Sequence, residues 1–192
     1  MSDTEAVVST IVSDNYDAGV QCAKDMMKKK TSANIIIVNQ KALNSINERV
    51  KGFRDTIKGH PQYKIVEEKE SAAEFEIAMK VMEEIIYEKK NYDVVMGGND
   101  PIALGCIAAM QMTDKTDQVM VYGVDGSPDG KAMIKAGFLE GTAAQSPIKI
   151  GEKAVQTAYS YLAGETVKKH VTIPVELITA DNLKFYDMTG WQ

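Results

Sequence analysis

Residues 94–105 read VVMGGNDPIALG, a short apolar run followed by two glycines, two polar residues and a proline. The run Val94–Met96 has the continuous apolar character of a strand that is buried on both faces of a parallel sheet. Pro101 is favoured in the first turn of a helix, and the apolar residues after it continue a helical pattern to about Gln111. The stretch therefore predicts one strand, a tight loop and one helix.

The same unit recurs on both sides of this stretch. Strands are predicted at Ile35–Val38, Tyr63–Val66 and Val119–Tyr122, and a helical apolar pattern follows each of them. Alternating strands and helices with short connections are typical of an α/β protein with a doubly wound parallel sheet. We therefore expect that fold class, with helices on both faces of the sheet.

The last third of the chain departs from this rhythm. It predicts a brief extended segment at Gly141–Ala144, a helix at Pro147–Leu162, one strand at Val171–Ile178 and a short terminal helix at Asp181–Tyr186. Apolar residues recur along the Pro147–Leu162 helix at spacings of three and four. This stripe indicates a helix that packs against a sheet.

Two S-x-x-E patterns predict helix starts. Ser45 with Glu48, and Ser71 with Glu74, each have the spacing of a capping box, in which both side chains bond to the first turn of the helix.

Composition excludes several classes of protein. The net charge of −5 and the pI near 5.2 argue against a nucleic-acid surface, which needs clustered basic residues. Cys22 and Cys106 have no metal-ligand spacing, and we expect two buried free thiols, no metal and no cofactor. No run approaches the ~20 apolar residues of a membrane span. The polar, acidic start of the chain predicts no signal peptide within it.

Polar residues follow the predicted strands at the edge where an open parallel sheet collects ligands. These are Arg49, Asn99, Asp125 and Gln145. Each also has a structural interpretation: Asn99 or Asp125 as a helix cap, Arg49 as a helix-surface residue, and Gln145 as a partner of loop backbone. Together, amide, carboxylate and guanidinium groups suit a polyhydroxylated ligand, since each hydroxyl both donates and accepts.

Catalytic motifs are missing from the sequence. There is no GxSxG nucleophile elbow, no Walker-type phosphate loop and no GxGxxG after the first strand. Nothing in the sequence sets a general acid against a general base. We expect a binding protein and not an enzyme.

Several motifs, in this order along the chain, resemble the ribose/galactose-type periplasmic binding proteins, the sugar-binding components of bacterial ABC transporters. They are Ser13-Asp14-Asn15 with Ala18-Gly19, Arg49 with Gly52-Phe53, and the segments at 99–105 (NDPIALG), 123–130 (GVDGSPDG) and 141–147 (GTAAQSP).

This resemblance implies two similar α/β lobes, joined by three crossing segments, that close like a hinge on one sugar. It implies that Arg49, Asn99, Asp125 and Gln145 bond to sugar hydroxyls, and that Ser13 lies at the first crossing near the cleft. The family commonly has an aromatic residue where this chain has Ala73, with Phe75 two residues away, which puts that stacking contact in doubt.

The resemblance also implies a division of the chain, which begins where the family's first lobe is nearly finished. We expect a complete C-terminal lobe from 14–141 and 177–192, with 1–13 and 142–176 as crossing segments and fragments of the N-terminal lobe. The chain then carries half of a binding site, and its uncovered helix favours self-association. For the full-length protein the resemblance implies an extracytoplasmic location, a monosaccharide ligand, ABC transporter membrane subunits as partners and no nucleic acid. The alternatives are the effector domain of a lac-repressor-type regulator and a sugar-active enzyme of similar fold.

Overall fold

The computed structural model describes residues 6–113 and 119–191. The polar start of the chain and the last residue of the predicted lobe lie outside these ranges. In chain order the elements are β1 (Thr10–Ser13), α1 (Asn15–Lys29), β2 (Ala33–Asn39), α2 (Asn44–Ile57), β3 (Tyr63–Glu70), α3 (Phe75–Tyr87), β4 (Val94–Gly97), α4 (Asp100–Gln111), β5 (Met120–Asp125), α5 (Pro128–Ala136), β6 (Gly141–Ala144), α6 (Pro147–Leu162), β7 (His170–Ile173) and β8 (Glu176–Thr179).

The main sheet has the strand order β3-β2-β4-β5-β6-β8. Its strands are parallel from β3 through β6, and only the edge strand β8 runs antiparallel to its neighbour. After β2 the chain moves outward to β3 and then returns to the other side of β2 for β4. This reversal is the topological switch point of a doubly wound sheet, beside which ligands bind. The predicted fold class is confirmed.

The core lies on both faces of the main sheet. All four side chains of Ile35–Val38 are fully buried. Because successive side chains of a strand point to opposite faces, helices must cover the sheet on both sides. Helices α1 and α2 pack together as one layer, and α3 packs with α4 in the other.

Two glycines bring α1 and α2 into close contact. A Cβ atom on Gly19 would lie 1.8 Å from the carbonyl oxygen of Arg49, and one on Gly52 would lie 2.0 Å from the carbonyl oxygen of Tyr16. Neither position therefore has room for a larger residue. This contact fixes the helix turn that carries Arg49 against the start of α1.

A second, smaller sheet pairs β1 with β7 in parallel. Helix α6 contacts β1, yet none of its residues is buried. The predicted lobe boundary at 141 falls on the first residue of β6, which pairs with β5 and β8 and so belongs to the main sheet. In the described part of the chain, no helix is long and apolar enough to span a membrane.

Three local predictions are wrong. The single strand Val171–Ile178 is two strands in different sheets, because Pro174 cannot donate a ladder hydrogen bond and interrupts it. Neither capping box forms: α2 begins after Leu43 and α3 after Glu74, both without a side-chain cap. The terminal helix is reduced to one 3₁₀ turn, Leu183–Phe185.

Candidate functional site

The candidate site lies at the carboxyl edge of the main sheet, beside the switch point between β2 and β4. Helix α2 follows β2 and carries Arg49 inward, while β5 ends at Asp125 and β6 is followed directly by Gln145. The smaller sheet approaches the same edge, because β1 ends at Ser13. Asn99 lies at the same edge, because it follows the end of β4, so all five predicted site residues lie there.

Arg49 is almost fully buried, with 4% of its surface exposed. Its Nε donates to Asn15 Oδ1 at 2.9 Å, and its Nη1 donates to the carbonyl oxygen of Gly98 at 2.9 Å. Nη1 also faces Asp125 Oδ1 at 3.5 Å. Burial lowers the pKa of Arg49 from its ordinary value, and the charge of Asp125 opposes that shift. The guanidinium is thus oriented by groups from three separate segments.

Asp125 ends β5 with a φ angle of 150°, a conformation that residues with side chains rarely adopt. Burial raises the pKa of its carboxyl group to about 6, while Arg49 and a hydrogen bond from Gln145 act in the opposite direction. The backbone N–H of Asp100, at the start of α4, also favours the charged form of Asp125 and lowers its pKa. A buried acid with few compensating charges remains available to a ligand.

Gln145 and Ser13 link Asp125 to the smaller sheet. Gln145 Nε2 donates to Asp125 Oδ1 at 2.7 Å, and Ser13 Oγ donates to Gln145 Oε1 at 2.7 Å. Asn15 Nδ2 donates in turn to the carbonyl oxygen of Ser13 at 3.1 Å. Since Asn15 also accepts from Arg49, the five residues form a closed hydrogen-bonded ring, which we call the polar ring.

Asn99 stands apart from the polar ring and caps α4. Its Oδ1 accepts from the backbone N–H of Ile102 at 3.0 Å, and its Nδ2 lies 3.4 Å from the carbonyl oxygen of Ala73. Asn99 therefore acts as a helix cap through its Oδ1. Ala73, where the family commonly has an aromatic residue, has a φ of 56° and offers no ring for stacking. Phe75, the nearest aromatic, lines an apolar groove with Leu104 instead.

Two residues of the site were missed as candidates by reasoning from sequence. Asn15 holds Arg49, and Asp100 is completely buried behind Asp125. Asn15 follows a strand end, as the chosen candidates do, and that signal could have found it. Among the residues that the structure describes, no cluster of His, Cys, Asp and Glu could hold a metal ion.

An open cleft of about 180 Å³ adjoins the polar ring. Its lining includes Ser13 and Asn15 from the ring, Asn44 and Glu48 from α2, and Thr172 from β7. The cleft lies between the smaller sheet and the starts of α1 and α2, so a small molecule in it would touch Ser13 and Asn15 of the polar ring. Arg49, Asp125 and Gln145 do not line this cleft.

Most of the chain resembles one family of known proteins. The family model that is described as the periplasmic binding protein domain matches residues 2–166 of the chain. The chain belongs to the periplasmic binding protein family. This confirms the resemblance found in the sequence motifs.

Relatives in this family are named as sugar-binding proteins. The ribose import binding protein of Escherichia coli (strain K12) is 31% identical over 175 residues, which are 90% of this chain and 58% of that protein. The D-apiose import binding protein of Paraburkholderia graminis is 31% identical over 189 residues, covering 96% of this chain and 60% of that protein. The chain thus spans about three fifths of these relatives.

Solved structures agree with the fold. A solute-binding protein of an ABC transporter from Bacillus halodurans C-125, with bound myo-inositol, superposes with a TM-score of 0.88 at 26% identity, covering 93% of this chain and 63% of that one. The myo-inositol binding protein of Caulobacter superposes with a TM-score of 0.87 at 27% identity, covering 96% and 64%.

Proposed function

We propose that the chain belongs to a sugar-binding component of an ABC import system, in which the polar ring forms one wall of a monosaccharide site. The observation that carries this proposal is the closed ring of Arg49, Asp125, Gln145, Ser13 and Asn15 at the switch point. It is supported by the relatives, which are named for binding ribose or D-apiose or were solved with bound myo-inositol.

The ring suits a polyol because it presents both charged donors and charged acceptors. Arg49 uses Nε and Nη1 within the protein, and in the described part of the chain its Nη2 donates to no other group. Asp125 accepts and cannot donate when it is ionised. Adjacent hydroxyls of a sugar ring can therefore accept from Nη2 and donate to the carboxylate at the same time.

The site needs a second wall. Known pockets bury ~70–90% of a small ligand, whereas the polar ring closes only one side of the cleft. We assign residues 14–144 and 176–191 to one lobe, and β1, α6 and β7 to crossing segments and parts of another lobe. In this assignment the rest of a longer protein supplies the opposite wall, and the 192-residue chain binds sugar weakly.

The same proposal extends to the full-length protein. The full-length protein acts outside the cytoplasm, delivers its ligand to the membrane subunits of an ABC transporter, and performs no chemistry on it. Binding without turnover is expected, since nothing in the polar ring sets a general base beside a nucleophile.

The test is a titration of the chain with D-ribose, D-allose and myo-inositol, in which binding is monitored by chemical-shift changes in NMR spectra. We expect millimolar binding of at least one of them, with shifts at Gly126 and Gln145, and no conversion of the sugar. Asp125→Ala should weaken binding about five- to 150-fold, because about 1–3 kcal/mol is lost with a charged hydrogen bond. Asp129→Ala, which removes an exposed carboxylate from α5, is the control. An unchanged affinity in Asp125→Ala would refute the assignment.

We further propose that the chain on its own associates with itself through α6 and β1. A groove between them is lined by Val8, Ile11, Ala158, Tyr161 and Leu162. Leu162 is 80% exposed and Tyr159 is 71% exposed. A contiguous apolar surface beside an unpaired strand edge commonly recruits another chain.

Sedimentation velocity measures this association. Leu162→Glu should shift the chain to monomer by placing a charge in the contact. Tyr87→Glu is the control, because Tyr87 is 88% exposed on α3, away from α6. A chain that is monomeric at tens of micromolar before any substitution contradicts the proposal.

A further inference from the structure

Asp100, the first residue of α4, has no exposed surface, yet no basic side chain donates a hydrogen bond to it in the described ranges. Its Oδ2 accepts from the backbone N–H of Ser127 at 2.9 Å and from Ser127 Oγ at 2.6 Å. Its Oδ1 accepts from Thr142 Oγ1 at 2.6 Å. The carboxylate thus joins three segments: the start of α4, the turn after β5, and β6.

The direction of these hydrogen bonds is determined by the two hydroxyl groups. Ser127 Oγ accepts from the backbone N–H of Gly130 at 3.0 Å, and Thr142 Oγ1 accepts from the backbone N–H of Gly126 at 3.0 Å. Each hydroxyl has one proton, and among the described residues the acceptor within its reach is Asp100. These donors favour the ionised carboxylate, while burial acts against it and raises the pKa of Asp100.

The surrounding backbone leaves room for this carboxylate and no more. A Cβ atom on Gly123 would lie 2.4 Å from Asp100 Oδ1, and one on Gly130 would lie 2.5 Å from Oδ2. Glycine at both positions therefore allows β5 and α5 to close around the carboxylate. Such a close fit resists movement of the turn between them.

The turn held by Asp100 is the one that aims Asp125. Asp125 has its φ of 150°, and Gly126 follows with a φ of 71°. The backbone N–H of Gly126 donates to Thr142 Oγ1, which in turn donates to Asp100, and the backbone N–H of Ser127 donates to Asp100 directly. A strained backbone conformation persists only where its surroundings hold it in place.

We propose that Asp100 is a positioning residue, which holds the 125–127 turn through Ser127 and Thr142 and so aims the Asp125 carboxylate at the ligand. The role in ligand binding rests on the proposed function. The role in fixing the turn does not, and it is tested separately.

The first test is hydrogen exchange on Asp100→Asn, Thr142→Val and Thr142→Ser. An amide in place of the carboxylate turns a donor toward a hydroxyl that is already donating. Asp100→Asn should therefore lower the protection of the Ser127 amide at least tenfold, while Val95 in the sheet centre is unchanged. Thr142→Val should do the same to Gly126, and Thr142→Ser should restore it because it keeps the hydroxyl.

If Asp100→Asn does not fold, the Thr142 pair decides the matter alone. Equal protection of Gly126 in Thr142→Val and Thr142→Ser overturns the proposal, as does a loss spread evenly over all amides. A second readout is the carboxyl resonance of Asp125, whose pKa is raised in part by the charge of Asp100. That pKa should fall in Asp100→Asn, and an unchanged value also counts against the proposal.

The effect on ligand binding is measured by titrating Thr142→Val and the unsubstituted chain with myo-inositol, D-ribose and D-allose. If the turn loosens in Thr142→Val and the affinity for a bound sugar falls about tenfold, positioning is supported. If the turn loosens and the affinity is unchanged, Asp100 does not position the ligand site. If the unsubstituted chain binds no sugar, the proposed function fails while the exchange result still decides whether Asp100 fixes the turn.

Discussion

Arg49 and Asp125 face each other across the carboxyl edge of the main sheet, with 3.5 Å between Nη1 and Oδ1. Their side chains are only 5% and 15% exposed. Burial is the largest influence on both groups, lowering the pKa of Arg49 and raising that of Asp125. Each charge is therefore disfavoured by its surroundings more than the partner stabilises it.

Asp125→Asn should remove a pH-dependent loss of stability from the folded chain. The folded protein holds the proton of Asp125 up to a pKa of about 6, while the unfolded chain releases it near the ordinary value of 3.8. Between these values the folded state binds more protons, so stability falls as the pH rises. The stability of the variant relative to the unsubstituted chain should therefore be about 1–3 kcal/mol greater above pH 6.5 than at pH 4.

Urea unfolding from pH 4 to pH 7.5 measures this difference. It should grow through the window and then stay level. Asp129→Asn, on the exposed side of α5, is the control and should show no such growth. A difference between Asp125→Asn and the unsubstituted chain that shrinks as the pH rises contradicts the prediction.

Arg49→Lys should lose both stability and sugar affinity. A lysine has a single nitrogen, which cannot reach Asn15, Gly98 and Asp125 together as the guanidinium does. We expect a loss of about 1–3 kcal/mol in the free energy of unfolding, since buried acceptors lose their donors. Arg54 lies on the same helix as Arg49 and forms a partly exposed ion pair with Glu68 of β3. Arg54→Lys should change the free energy of unfolding by less than about 1 kcal/mol. Equal losses in the two variants, measured by urea unfolding, would argue against a special role for Arg49.

Gly19→Ala should separate α1 from α2. The added Cβ would lie 1.8 Å from the carbonyl oxygen of Arg49, and backbone atoms cannot yield as a flexible side chain can. We expect a loss of about 3 kcal/mol, the upper end for an overpacked core. Gly151→Ala in α6 has no atom within 4 Å of the new Cβ and should stabilise its helix by about 0.5–1 kcal/mol. Thermal unfolding of both variants checks the opposite signs.

Lys131→Met should free the C-terminal segment. The buried Lys131 Nζ donates to the carbonyl oxygen of Gly190 at 2.6 Å and to that of Asp187. Methionine fills similar space but leaves both oxygens without this donor. Limited proteolysis with mass spectrometry should show early cleavage of Lys131→Met in the segment 183–191. The control is Lys135→Met, at an exposed position on the same helix, in which this segment should be cleaved no earlier than in the unsubstituted chain. Identical cleavage in the two variants would show that Lys131 does not hold the segment.

Most of the main sheet could be predicted from sequence because its signals are local. The run Ile35–Val38 is apolar without interruption, and only a strand covered on both faces accommodates that pattern. Pro101 and Pro128 mark helix starts, and Gly137 ends α5 with a φ of 83°. Each signal depends on neighbours within one turn or one strand, so it can be recognised before the chain is folded.

The site could be predicted only in part. Strand ends place Arg49, Asp125 and Gln145 at one edge, but whether a side chain binds a ligand or its own backbone depends on distances to residues far along the chain. Asn99 caps α4, whereas Asn15, which was not chosen, holds Arg49.

The sequence by itself determined the parallel βα units, the family and the edge at which polar side chains gather. Only the tertiary structure decided that Ser13 meets Gln145, 132 residues later, and that the segment after His170 divides between two sheets. The physical reason is that these contacts join segments whose approach depends on the packing of everything between them. No local pattern encodes that approach, so the closed ring around Arg49 exists only in the folded chain.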